Sequence, residues 1–166
     1  ELGGKSPTIV LPDADIELAA KGIAYGIFSS AGQACIAGSR LFIHSSIYDQ
    51  FLTRLVEITK GLRVGHPEQK DVHMGSLINQ AHLQSVDRYV QLAKQEGGEV
   101  LTGGEALTTG EFAKGSFYLP TIITGLKNQA KVCQEEIFGP VLVVMKYDNE
   151  QDLIQQANDS CFGLAA

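Results

Sequence analysis

Apolar positions along this 166-residue chain follow two periods, and the chain changes from one to the other several times. A short apolar run at residues 8–11 predicts a strand. Pro12 and Asp13 then introduce a segment in which Ile16, Ala20, Ile23, Ile27 and Ala31 recur at helical spacing, which predicts a helix ending near Gly32. Residues 40–44 are apolar, short and bounded by polar positions, as a second strand would be. Ser46 opens the next predicted helix, with Ile47, Phe51, Leu55, Ile58 and Leu62 inward and with Ser46 and Asp49 resembling a capping box. A third helix fits residues 80–96, capped by Asn79 and stopped by Gly97-Gly98, with Leu83, Val86, Val90 and Ala93 on one face. Strands are predicted at 99–102 and 117–124. The run at 141–147 is apolar through Met145, as a strand covered on both faces would be, and Asn149 caps a last helix reaching to about Asn158. Helices alternate with strands, so the fold class is α/β, in one domain without repeats or a low-complexity tract.

Composition narrows the function without naming it. The chain is 44% hydrophobic and 19% charged, in the range of globular domains. Its formal net charge of -6 is scattered, without the Lys/Arg clustering that a phosphate backbone requires, so nucleic acid is not an expected partner. No apolar run approaches the roughly 20 residues of a membrane span, and no basic segment followed by an apolar one opens the chain. Three widely spaced cysteines, Cys35, Cys133 and Cys161, argue against a disulfide framework and for a reducing, cytoplasmic compartment. The chain starts at Glu1 without an initiator Met and stops after the glycine turn Gly163-Leu164-Ala165-Ala166, which reads as a fragment truncated at both ends.

The chemistry concentrates at a thiol and a few carboxylates. Gly32-Gln33-Ala34-Cys35-Ile36-Ala37-Gly38-Ser39-Arg40 places Cys35 in a loop between a helix and a strand, with glycines that let backbone fold closely around it. On local sequence alone Cys35 is either a nucleophile or a structural thiol, whereas Cys133 and Cys161 lack comparable surroundings and read as structural. Glu1 precedes Gly3-Gly4, where backbone can approach a ligand; it is either a general base or an exposed carboxylate. Glu135-Glu136 precede the apolar turn Ile137-Phe138-Gly139-Pro140, which suits the edge of a pocket as well as a charged surface. Gly4-Lys5-Ser6 matches the end of a phosphate-binding loop, but the first glycine of that motif would fall before Glu1, and a strand follows where the motif demands a helix. The four histidines, His44, His66, His73 and His82, read as solvated, and no spacing among His and Cys fits a metal site.

Taken together, Glu1-Leu2-Gly3-Gly4-Lys5-Ser6-Pro7, the block at Gly32 to Cys35, Glu135-Glu136-Ile137-Phe138-Gly139-Pro140-Val141, and Asn158-Asp159 with Phe162 to Ala166 resemble the NAD(P)-dependent aldehyde dehydrogenase family over essentially the whole chain. The resemblance implies a three-layer catalytic domain with helices on a mostly parallel sheet. It implies that Cys35 attacks an aldehyde carbonyl, that the resulting thiohemiacetal becomes a thioester, and that Glu1 activates the hydrolytic water. It further implies that Glu136 accepts hydrogen bonds from the ribose of the nicotinamide half of NAD or NADP, with Phe138 beside that ribose and ring and the Leu2 carbonyl toward the carboxamide. One donor to the oxyanion would be the Cys35 backbone N–H; the other, an asparagine, would lie upstream. No two glycines are separated by a single residue, so a G-x-G-x-x-G fingerprint cannot occur here. The dinucleotide-binding domain is therefore expected outside these residues, as is the C-terminal segment with its oligomerisation arm. The full-length enzyme is then expected to be a homo-oligomer acting on a small-molecule aldehyde, and the isolated fragment to be inactive. Ile36, beside the thiol, is the one residue here with a claim on the substrate pocket. Two other readings remain: a cysteine-dependent hydrolase pairing Cys35 with a histidine, and a non-catalytic structural α/β module.

Overall fold

The computed structural model describes residues 2–166; Glu1, the expected base, lies outside the described residues. Seven strands and five α-helices alternate among them: β1 (Pro7–Val10), α1 (Ile16–Phe28), β2 (Arg40–His44), α2 (Tyr48–Lys60), α3 (Gln80–Gln95), β3 (Glu99–Thr102), β4 (Ala106–Leu107), β5 (Phe117–Tyr118), β6 (Thr121–Thr124), α4 (Lys131–Gln134), β7 (Val141–Tyr147) and α5 (Glu150–Asn158). Five strands form one sheet in the order β1-β2-β7-β6-β3. Its first three junctions are parallel, and only β3 runs antiparallel to its neighbour β6. This is the α/β class expected from the alternation of elements, with the mostly parallel sheet that the family resemblance implies. β7 lies at its centre. Its first five side chains, Val141 to Met145, are all buried, which is why this strand reads as a continuous apolar run with no alternation. Each such side chain removed from water contributes roughly 2 kcal/mol, and helices α1, α2 and α3 complete the same core with Ile27, Phe51, Leu55, Val86 and Val90.

Local chemistry sets the ends. Asp15, Asn79 and Asn149 each accept a hydrogen bond from the backbone N–H three residues on, at 3.0, 2.8 and 2.8 Å, and so start α1, α3 and α5. α1 stops at Phe28, short of Gly32. Ala31 and Gly32 both adopt left-handed backbone, φ 52° and 69°, which turns the chain away from the helix before the apolar spacing runs out. The expected opening of the second helix is also revised. Residues Ser45–Ile47 form a 3-10 turn capped by His44, whose Nδ1 accepts from the Ser46 N–H, and α2 follows without a capping box. The strand expected over 117–124 is two strands: Pro120, with no N–H to give a ladder, separates β5, paired with β4, from β6 in the main sheet.

Candidate active site

Three loops meet at the amino ends of three adjacent parallel strands. Residues 3–5 lead into β1, 33–39 into β2 and 135–140 into β7. The junctions are too tight for side chains. A Cβ on Gly4 would lie 2.1 Å from the Cys35 carbonyl oxygen, and one on Gly32 would lie 1.9 Å from the carbonyl oxygen of Gly139. Gly32 also holds the left-handed backbone that glycine adopts without penalty. The thiol-bearing loop is thus clamped between the segment after Glu1 and the segment after Glu136.

Within that clamp Cys35 is partly exposed and Ile36 beside it projects into solvent. The loop is held from the far side by Gln33, whose amide oxygen accepts the Ile78 N–H at 2.8 Å, tying the thiol segment to the stretch before α3. Glu136 turns inward. Its Oε1 accepts the Gly4 N–H at 2.8 Å, and its Oε2 sits over Gly3. Phe138, two residues on, takes φ 55°, a left-handed conformation that costs a non-glycine residue roughly 1–2 kcal/mol, and the residue remains 37% exposed. Glu136, Phe138, Gly4, Gly32 and Ala34 line one small depression. A carboxylate oxygen and an open aromatic face at its rim are the acceptor and the flat apolar surface that a ribose hydroxyl and an adjoining heteroaromatic ring require, so these residues fit the nicotinamide half of a dinucleotide. Leu2, which precedes Gly3, is 94% exposed.

Behind the loops lies a charged anchor. Arg40, the first residue of β2, is buried and donates to the carbonyls of Lys5, Gln156 and Ala157 at 2.9, 3.0 and 2.8 Å and to Asn128 Oδ1 at 2.9 Å. These four bonds join the entry to β1, the turn before α4 and the end of α5, and burial holds the guanidinium below its ordinary pKa. Lys5 is buried beside it, its Nζ without a hydrogen-bond partner among the described residues, and desolvation brings its pKa down to about 8. Burial also pushes the Cys133 thiol up to about 11, whereas Cys161 is exposed.

Several of these residues carry little local signal of their place in the fold. Gln33 and Arg40 carry no expected role, Lys5 is weighed only within a phosphate-binding loop, and His82 is expected to be solvated. In the structure the His82 ring nitrogen Nε2 lies 2.6 Å from the Phe138 carbonyl oxygen, while Tyr89 donates to Glu135 Oε2 at 2.8 Å. A signal was available: His82 and Tyr89 flank the inward-facing Val86 at i-4 and i+3 on α3. His44 caps a turn, His66 lies 3.1 Å from the Glu111 carbonyl oxygen and stacks on Phe112, and His73 accepts from the Arg63 N–H. Among the described residues no group of three or more His, Cys, Asp or Glu is arranged to hold a metal ion, and no helix is long and apolar enough to cross a membrane.

A family model described as "Aldehyde dehydrogenase family" matches residues 1–166. The chain belongs to the aldehyde dehydrogenase family. It is 46% identical over 166 residues to a betaine aldehyde dehydrogenase of Mesorhizobium japonicum, a match covering 100% of this chain and 34% of that protein. Among solved structures, a betaine aldehyde dehydrogenase from Staphylococcus aureus in complex with NAD+ is 40% identical with a TM-score of 0.96, covering 99% of this chain and 33% of its own. An NAD-dependent aldehyde dehydrogenase from Sinorhizobium meliloti is 39% identical with a TM-score of 0.94, covering 99% of this chain and 32% of its own. The chain spans about a third of the length of these aldehyde dehydrogenases. The mostly parallel α/β sheet with its helices is therefore a fold shared with that family at closely similar geometry.

Proposed function

We propose that this chain is the thiol-bearing catalytic portion of a longer enzyme that oxidises an aldehyde to a carboxylic acid with NAD or NADP. The observation that carries this reading is the convergence of the Cys35 loop, the Gly3-Gly4 segment and the Glu136–Phe138 turn at one edge of the sheet, in a chain of this family. The Cys35 sulfur, as thiolate, forms a bond to the aldehyde carbon, and the carbonyl electron pair moves onto oxygen to give a thiohemiacetal. The backbone N–H of Cys35 is one donor to that oxyanion, and a second donor comes from outside the 166 residues. NAD(P), when bound, supplies the acceptor for the hydride that leaves the same carbon, so that the adduct on Cys35 becomes a thioester. Glu1 takes a proton from water, which adds to the thioester; the C–S bond breaks, and acid and thiol are released. Glu136 holds the ribose through its carboxylate, Phe138 gives the adjoining ring an apolar face, and the Leu2 carbonyl receives the carboxamide.

A dinucleotide-binding domain and a C-terminal segment in the rest of the longer protein complete the site, and the enzyme works as a cytoplasmic homo-oligomer. Relatives named for betaine aldehyde and a structural neighbour bound to NAD+ support the substrate class and the cofactor. The isolated 166 residues lack the second oxyanion donor and most of the grip on the dinucleotide. The experiment is a comparison of the longer protein, its Cys35→Ala variant and the isolated chain, with NAD(P)H absorbance followed across a set of aldehydes. Turnover by the longer protein alone is expected. Near wild-type turnover by Cys35→Ala would refute the thiol assignment, and turnover of about 1 per second by the isolated chain would refute the division of the cofactor site.

A further inference from the structure

One stripe of α3 meets the 135–139 turn at both of its ends. His82, Val86 and Tyr89 stand at i, i+4 and i+7 and so share one side of the helix. Each meets a different part of the turn. His82 Nε2 lies 2.6 Å from the Phe138 carbonyl oxygen, the two rings meet edge-on with centroids 6.1 Å apart, Val86 packs against Gly139, and Tyr89 donates to Glu135 Oε2. A carbonyl oxygen only accepts, so the contact fixes His82 as the donor, with its proton on Nε2. The turn needs such support, because Phe138 occupies the left-handed region where an aromatic residue does not rest unaided. Just before α3, the Ile78 N–H is bonded to Gln33 of the thiol loop. The same helix entrance therefore touches both the Cys35 loop and the Phe138 turn.

We infer that His82 is a positioning residue: its Nε2–H bond to the Phe138 carbonyl holds the turn in its strained form and so aims the Phe138 ring and the Glu136 carboxylate at the nicotinamide half of the cofactor. The inference rests on the proposed cofactor role of Glu136 and Phe138. His82 bonds the 135–139 turn and Gln33 fastens the Cys35 loop, so cofactor affinity and thiol reactivity can be read as separate consequences of the two contacts.

The test uses the longer enzyme with His82→Ala and His82→Gln, beside Phe138→Ala and Glu136→Gln. For each, the dissociation constant for NAD(P), kcat and KM, the thermal midpoint, and the rate of Cys35 alkylation by iodoacetamide without nucleotide are measured. Loss of one ordinary hydrogen bond corresponds to about a fivefold change in an equilibrium constant. His82→Ala is expected to weaken NAD(P) binding about fivefold, with Cys35 alkylation unchanged within about twofold. His82→Gln, which keeps an N–H donor, is expected to restore most of the affinity, a rescue that a merely structural loss would not give. Unchanged NAD(P) affinity in a folded His82→Ala enzyme would overturn the inference while leaving the cofactor assignment standing, provided Phe138→Ala and Glu136→Gln bind weakly. If Gln fails to rescue, donation to the Phe138 carbonyl is not what His82 contributes, and the inference falls. If Phe138→Ala and Glu136→Gln also bind NAD(P) normally, the cofactor assignment itself falls, and the inference with it. Should His82→Ala not fold, His82→Gln binding no tighter than Phe138→Ala would still contradict it.

Discussion

Cys35 and Cys133 are the same residue type in one fold, and the structure treats them oppositely. Cys133 sits in α4 at 0% exposure, beside the buried Lys5 and Arg40, and burial drives its thiol up to about 11, away from the thiolate. Cys35 stands on a loop at the amino edge of the sheet, partly open, with Gly4 pressed against its carbonyl and Gln33 fastening the loop behind it. The difference lies in the backbone that carries each thiol. A helix packed into a core hides its cysteine, whereas a loop clamped by glycines presents one to a reacting group without giving up rigidity.

The largest effect expected from this contrast is on turnover. In the longer enzyme Cys35→Ala is expected to lower kcat by at least about a thousandfold, as loss of a nucleophile does, and Cys133→Ala to leave it within about twofold; steady-state NAD(P)H formation measures both. Comparable losses from the two variants would erase the distinction. The next effect is on stability against pH. The folded pKa of Lys5 is depressed, so its contribution is present above 10.5 and is lost as pH falls through about 8. The folded pKa of Cys133 is raised, so its contribution is present below 9 and is lost as pH rises through about 11. The unfolding free energy of the wild type relative to Lys5→Met should therefore fall from pH 10 to 8, by up to about 3 kcal/mol, and Cys133→Ala should remove part of the loss above pH 9. Parallel profiles would mean that neither group is as dry as described.

Gly4→Ala follows, because the added Cβ would fall 2.1 Å from the Cys35 carbonyl oxygen and must move the thiol loop. A loss of about 1–3 kcal/mol in thermal stability is expected, with slower alkylation of Cys35 and none gained at Cys133. The smallest change is from Gln33→Ala, which leaves the Ile78 N–H without its partner. It should cost about 1 kcal/mol and raise the exchange rate of the Ile78 amide with little change in turnover. A large drop in kcat would make Gln33 more than a fastening.

The same contrast accounts for what could be read in the sequence. The loop position of Cys35 was legible because glycines flank it, and the turn at Glu136 and Phe138 because a proline-stiffened apolar stretch follows the carboxylates, whereas the roles proposed for these residues come from the family resemblance. Long elements were legible too: the helical spacing of Leu83, Val86, Val90 and Ala93 and the cap Asn79 gave α3 nearly to its ends. β4 and α4, of two and four residues, are too short to show a period. The start of α2 escaped because a histidine, not a serine, caps the preceding turn. His82, Tyr89 and Arg40 escaped for a different reason. Their partners are 56, 46 and up to 117 residues away in sequence, so only the folded sheet and helix bring them together. Polar residues that serve a tertiary contact carry the same local pattern as solvated ones.

The most direct measurement is to trap the covalent step in the longer enzyme. Incubation with an aldehyde and NAD(P), an acid quench within the first turnover and tryptic mass spectrometry would locate the acyl group, since residues 22–40 contain Cys35 alone and residues 132–146 contain Cys133 alone. The account predicts the mass of the acyl group on the 22–40 peptide, with more of it retained when Glu1→Gln slows hydrolysis of the thioester. An acyl group on the 132–146 peptide, or rapid turnover with the 22–40 peptide unmodified in both proteins, would contradict it.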